Sequence, residues 1–83
     1  MTETILDRVL ADDRLSLRAR GVAAYALRGG RTYLPPSHEM MEHCREGRDA
    51  IRAAARELER YGYIGRRRYR DKNGAWRSDV FFG

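Results

Sequence analysis

Lysine is almost absent from this sequence. Lys72 is the only one, against sixteen arginines. The chain therefore carries its positive charge on planar guanidinium forks, which suit phosphate oxygens and guanine edges. Cysteine is also scarce. The single Cys44 excludes an internal disulfide and any zinc site built on several cysteines. No run of 18 apolar residues occurs, which excludes a membrane-spanning helix. The first ten residues carry Glu3, Asp7 and Arg8 and do not form a signal peptide. The expected setting is cytoplasmic, associated with the nucleoid and away from any membrane.

Eighty-three residues suffice for one small domain. A chain of this length buries only about 60% of its unfolded surface, so it has one thin core. Seventeen basic side chains face twelve acidic ones, for a net charge of +5. The excess is not spread evenly. Residues 1–44 are neutral, and residues 45–83 hold all of it. Within residues 60–70 there are five arginines and no acid. Charge confined in this way is the footprint of a polyanionic partner. The competing reading is a solvated surface balanced by acids elsewhere in space.

Residues 2–13 alternate apolar and charged groups, with Ile5, Val9 and Leu10 as anchors. They read as a short helix or an extended arm before a domain spanning residues 14–83. Ser16 suits the N-cap of the next helix. Ala19, Val22, Ala23, Ala26 and Leu27 then form one apolar stripe. Gly21 interrupts that helix at a cost of about 1 kcal/mol relative to alanine, which suggests close approach of a neighbouring helix. Gly29 and Gly30 end it. Thr32, Tyr33 and Leu34 form a short β-prone piece. Pro35, Pro36 and Ser37 stop it and start a second helix, residues 37–44, with Met40, Met41 and Cys44 facing inward. Residues 45–47 are a tight turn.

Residues 48–61 make the clearest helix, with Ile51, Ala54, Leu58 and Tyr61 as its buried stripe. Gly62 ends it. Two strands, residues 63–70 and 75–82, flank Asp71, Lys72, Asn73 and Gly74. There the Asn-Gly pair supplies the positive φ angles of a hairpin turn. The expected class is α+β: three helices, a short strand and a C-terminal hairpin, in the order of a winged helix-turn-helix domain.

Opposite the buried stripe of the third helix lie Arg48, Asp49, Arg52 and Arg56, joined by Arg45 if the helix extends that far. Arg48, Arg52, Arg56 and Arg60 recur every four residues and wind into one ridge. Like charges at that spacing slightly destabilise a helix, so repeating them suggests a use. A helix of about 20 Å fits the major groove of duplex DNA. The competing reading is an exposed helix laced by Asp49–Arg52 and Arg56–Glu59 pairs. The hairpin carries Arg66, Arg67, Arg68, Arg70, Lys72 and Arg77, as a wing on backbone or minor groove would. Arginines on both strand parities leave open which of them face a partner. Trp76 packs across the hairpin on Tyr69 in the favoured reading, and stacks on a sugar or base in the other. Val80, Phe81 and Phe82 close the sheet on the core or, in part, form a dimer surface. Ser37 and His38 present backbone N–H groups that suit a phosphate, unless Ser37 is a simple N-cap.

Residues 15–21 (LSLRARG), 46–52 (EGRDAIR) and 57–64 (ELERYGYI) resemble the winged-helix domains of phage- and plasmid-type DNA-binding and replication-initiator proteins. Residues 34–64 are also similar to the reader head of GntR-type repressors. Together these resemblances cover residues 14–83. They imply that Arg48, Asp49 and Arg52 open the recognition helix and that residues 67–72 form the wing. Arg45 departs from the pattern, because glycine is common at its turn position. That implies strain there or an added contact. GntR-type repressors also carry an effector domain, and these residues include none.

Enzyme chemistry finds no support in the residues. The HEMMEH run, residues 38–43, is near a zinc-protease motif. Its histidines are five apart, about 140° round a helix, too far to share a metal. Cys44 falls with Met40 and Met41 on the apolar side, where an inert thiol is usual. No phosphate-cradling glycine loop or catalytic carboxylate pair is present. The expectation is a non-enzyme without cofactor or metal. It would bind double-stranded DNA sequence-specifically, as a regulator of transcription or a control factor of a mobile element. A domain this small reads limited sequence, so a homodimer or tandem sites are expected. The alternative is an interaction module on the replication or transcription machinery. Its arginines would meet an acidic partner, and Trp76, Phe81 and Phe82 would form an exposed aromatic cluster.

Overall fold

The structure, a computed structural model, describes residues 3–83. Four helices precede a two-stranded antiparallel hairpin, an α+β fold. The first helix, α1 (Ile5–Ala11), opens with a reciprocal cap. Thr4 Oγ1 accepts from the Asp7 amide, and the Asp7 carboxylate accepts from the Thr4 amide, each at 3.1 Å. Of the two expectations for residues 2–13, the helix is the one found; Met1 and Thr2 lie outside the described residues. Val9 is fully buried, so this segment is part of the core and not an arm. Leu10, expected as an anchor, is exposed.

The next helix, α2 (Leu17–Leu27), starts where Ser16 Oγ accepts from the Ala19 amide. Ala19, Val22, Ala23 and Ala26 are buried along its inner face. Gly21 corrects an expectation. It faces solvent, and a Cβ placed there meets nothing within 4 Å, so no helix approaches it. A 3₁₀ turn (Arg28–Gly30) then leads into Thr32–Leu34. That triad makes a single bridge at Tyr33, opposite Phe81, in place of a strand.

The third helix, α3 (Ser37–His43), has Pro36 at its N-cap position and no side-chain cap, so Ser37 does not cap it. Met40 is buried, but Met41 is exposed and Cys44 only half-buried, against the inward placement expected for all three. Helix geometry turns Met41 about 100° from Met40, and the helix ends before Cys44. Among the described residues no non-glycine backbone has positive φ, so Arg45 introduces no strain into the turn. Arg18 of α2 instead holds that turn through Glu46, at 3.6 Å.

Helix α4 (Arg48–Arg60) buries Ile51, Ala54 and Leu58. Tyr61 is its C-cap and is half-buried, outside the fully buried stripe. Gly62, with φ of +81°, turns the chain out of the helix. Strands β1 (Ile64–Arg70) and β2 (Trp76–Phe82) pair from Ile64 opposite Phe82 to Arg70 opposite Trp76. Ile64 and Phe82 are buried, so the base of the hairpin closes the core. None of the described helices is long and apolar enough to cross a membrane.

The open space at Gly21 makes Gly21→Ala a stabilising change. An increase of about 0.5–1 kcal/mol is expected in urea denaturation. A destabilised variant would show that the position is crowded after all.

Candidate nucleic-acid interface

The rotation of α4 is set by Ile51, Ala54 and Leu58, which must face the core. With about 100° per residue, Arg52, Arg56 and Arg60 then point outward, with Arg48 on the flank of the same ridge. All four are exposed. Among the described residues no carboxylate comes within ion-pair distance of any of them. The Asp49–Arg52 and Arg56–Glu59 pairs of the competing sequence reading do not form. Glu59 turns instead to β1, where its Oε2 accepts from Arg66 Nε at 2.6 Å.

A cleft of 1110 Å³ lies between α4 and the hairpin. Arg52 and Arg56 line one wall, Arg66 and Arg67 the other, with Ser37 at the α3 edge and apolar side chains such as Ile51 and Val80 beneath. The structure thus brings five of the thirteen predicted site residues together. His38, Arg45, Arg48 and Asp49 lie exposed outside the cleft, on α3, the turn and the start of α4. Arg68, Arg70, Lys72 and Arg77 stand further out along the hairpin.

The hairpin arginines are not equivalent. Arg66 holds Glu59, Arg67 lies 3.8 Å from Asp79, and Arg77 donates to Asp71 at 3.0 Å. These pairs are exposed and worth about 0–1 kcal/mol each, so a phosphate can displace them. Among the described residues Arg68, Arg70 and Lys72 have no acidic partner. The Asp71 carboxyl is held below its ordinary value by Arg77, then by the amides of Ala75 and Asn73.

The turn explains the arrangement. Asp71 N–H donates to Ala75 O, Gly74 N–H donates to Asp71 O, and only Gly74 has positive φ. This is a three-residue loop, Lys72 to Gly74, and not a two-residue turn with positive φ at both Asn73 and Gly74. The difference shifts the register by one and exchanges the faces. Trp76 sits opposite Arg70, and Tyr69 opposite Arg77 on the other face. Trp76 therefore does not pack on Tyr69. Its ring lies beside Arg68 and Arg70, at 5.1 and 4.9 Å. The aromatic cluster expected of a protein-docking surface is not assembled either. Phe82 is 5% exposed, and Trp76 and Phe81 lie on opposite faces.

Two carboxylates fix α4 from behind. The Asp12 side chain, 7% exposed, accepts from Arg14 Nε at 2.9 Å and from the Tyr63 hydroxyl at 2.7 Å. It thereby joins the α1–α2 loop to the exit of α4. Arg14, then Tyr63, hold its carboxyl well below the usual range. Asp12 and burial push the Tyr63 hydroxyl up. Glu57 of α4 accepts from the Ser16 amide at 2.9 Å and from its hydroxyl at 2.7 Å, and both lower its pKa. Sequence spacing gave no sign of the Glu57–Ser16 and Asp12–Tyr63 bonds, whose partners lie 41 and 51 residues apart. Among the described residues no three His, Cys, Asp or Glu side chains are grouped to hold a metal ion.

Set against family models, curated proteins and solved structures, the chain matches none.

The depressed carboxylates have a pH signature. Their stabilisation is complete above the ordinary carboxylate range, about pH 4, and is lost as pH falls through the lower folded values. Thermal melts should hold steady from neutral pH to about pH 5 and then decline. Asp12→Asn should melt lower at neutral pH and lose less below pH 4. An equally steep decline in that variant would remove Asp12 from the role. Tyr63→Phe should lower Tm by about 5–10 °C, and an unchanged Tm would show that the hydroxyl adds nothing.

Proposed function

We propose that this chain binds double-stranded DNA as a winged helix-turn-helix domain. Helix α4 enters the major groove, and the β1–β2 hairpin is the wing on the adjacent backbone or minor groove. The observation that carries this reading is the α4 ridge: Arg48, Arg52, Arg56 and Arg60 are exposed and lack an acidic partner among the described residues. A ridge of uncompensated guanidiniums on a rigid helix is unfavourable in isolation and becomes favourable beside phosphates and guanine O6 and N7. The thirteen residues of α4 span about 20 Å, a length suited to one groove.

The roles divide by chemistry. Arg52 and Arg56 face the cleft and read bases. Arg45 and Arg48 meet phosphates at the start of the helix. Asp49 accepts from cytosine N4 and rejects a phosphate. Arg68, Arg70 and Lys72 hold backbone from the wing. One such domain discriminates sequence modestly, so it works as a homodimer or on paired half-sites. Control of transcription or of a mobile element is the process such a reader serves.

Duplex affinity should fall steeply with salt, with a logarithmic slope of about −4.5 to −7, that is about five to eight phosphates engaged. The Arg48→Glu, Arg52→Glu double variant should lose at least about 100-fold in affinity with its melting temperature retained. Full retention of affinity by that variant would contradict the reading and assign the arginines to an acidic protein partner.

A further inference from the structure

Trp76 is the only tryptophan in the chain, and it is 58% exposed. Exposing an indole to water is unfavourable, and the three-residue loop turns this one away from Tyr69, its expected cover. The groups over its ring are guanidiniums: Arg70 directly across the ladder and Arg68 on the diagonal. Neither arginine has a carboxylate partner among the described residues. Ser78 follows on the same face, exposed, and Lys72 stands in the loop beyond. The hairpin carries this group clear of the core. Its base is buried at Ile64 and Phe82, and from Arg66 outward β1 is exposed.

An exposed indole beside two guanidiniums that lack a carboxylate partner among the described residues matches one ligand closely. A nucleobase stacks on the ring while its phosphate pairs with arginine. Bases inside a duplex do not offer a free face, and unstacking them costs a few kcal/mol. A base that is already unpaired avoids that cost. We infer that Trp76, with Arg68 and Arg70, is a stacking platform for an unpaired nucleobase, so that the chain prefers duplex DNA that continues into a single strand. This rests on the duplex reading and extends it at the wing, where Arg68 and Arg70 already meet backbone and Trp76 adds a stacking surface for a base.

The test uses three labelled probes at one salt concentration: a blunt 20-base-pair duplex, the same duplex with a ten-nucleotide single-stranded extension, and the extension alone. Binding is followed by probe anisotropy and by Trp76 emission, excited where tyrosine does not absorb. The extended duplex should bind about tenfold more tightly than the blunt one, the factor one stacked base supplies. It should quench Trp76 well beyond the blunt duplex, whose backbone meets only the arginines beside the ring. Trp76→Ala should erase that tenfold difference and leave blunt-duplex affinity within about twofold, and Trp76→Phe should keep part of it. Equal affinity for both duplexes, or a preference that survives Trp76→Ala, overturns the inference and leaves the duplex reading standing. Quenching by the extension alone, with no binding of the blunt duplex, supports the platform and overturns the duplex reading. Failure to bind any probe overturns both.

Discussion

The rotation of α4 about its own axis is the constraint on which the rest of the molecule depends. Ile51, Ala54 and Leu58 are the only large buried contribution this helix makes, and they lie on one narrow stripe. Once that stripe meets α2 and α3, every arginine of the helix is committed to solvent. Rotating the helix to hide the guanidiniums would expose the stripe at about 1.5–3 kcal/mol for each of the larger side chains, and would bury charge at far greater cost. The ridge is thus a consequence of packing. Its chemistry follows from the lack of any ion pair to its arginines among the described residues, although Asp49 shares the face and Glu59 lines the cleft.

The acids have work elsewhere. Asp7 closes the cap of α1, and Asp12 gathers Arg14 and Tyr63. Glu57, on the flank of α4 away from the cleft, holds the amide and hydroxyl of Ser16, which itself caps α2. Glu59 braces the hairpin through Arg66. These bonds tie the loop before α2 and the base of the hairpin to opposite flanks of one helix. They keep α4 in register with its neighbours and leave its outer face cationic. The structural role of the carboxylates and the proposed binding role of the arginines are two sides of one distribution of charge.

Much of this was legible in the sequence, and the parts that were not share a cause. The stripe of α4 was readable because a period of 3.6 repeats three times within one helix. The Ser16 cap and the Gly62 stop were readable because their chemistry is local. Registers and distant bonds were not. A loop of three residues rather than two moved Trp76 from Tyr69 to Arg70, a change that no propensity signals. The pairs that divide the hairpin arginines into engaged and unengaged sets follow from that same register. In α3, seven residues are too few to show which of Met40, Met41 and Cys44 turns inward. Gly21 misled because a helical glycine suggests a neighbour, and here none is near.

A nitrogen-15 NMR titration that follows the arginine Nε–H signals tests the central claim most directly, because each guanidinium reports on itself. On adding duplex DNA at low salt, the account predicts shifts at Arg48, Arg52 and Arg56 and at Arg68 and Arg70, while Arg14, held by Asp12 behind α4, stays in place. Shifts concentrated at Arg14, Arg18 and Arg20, with the α4 ridge unmoved, would contradict it.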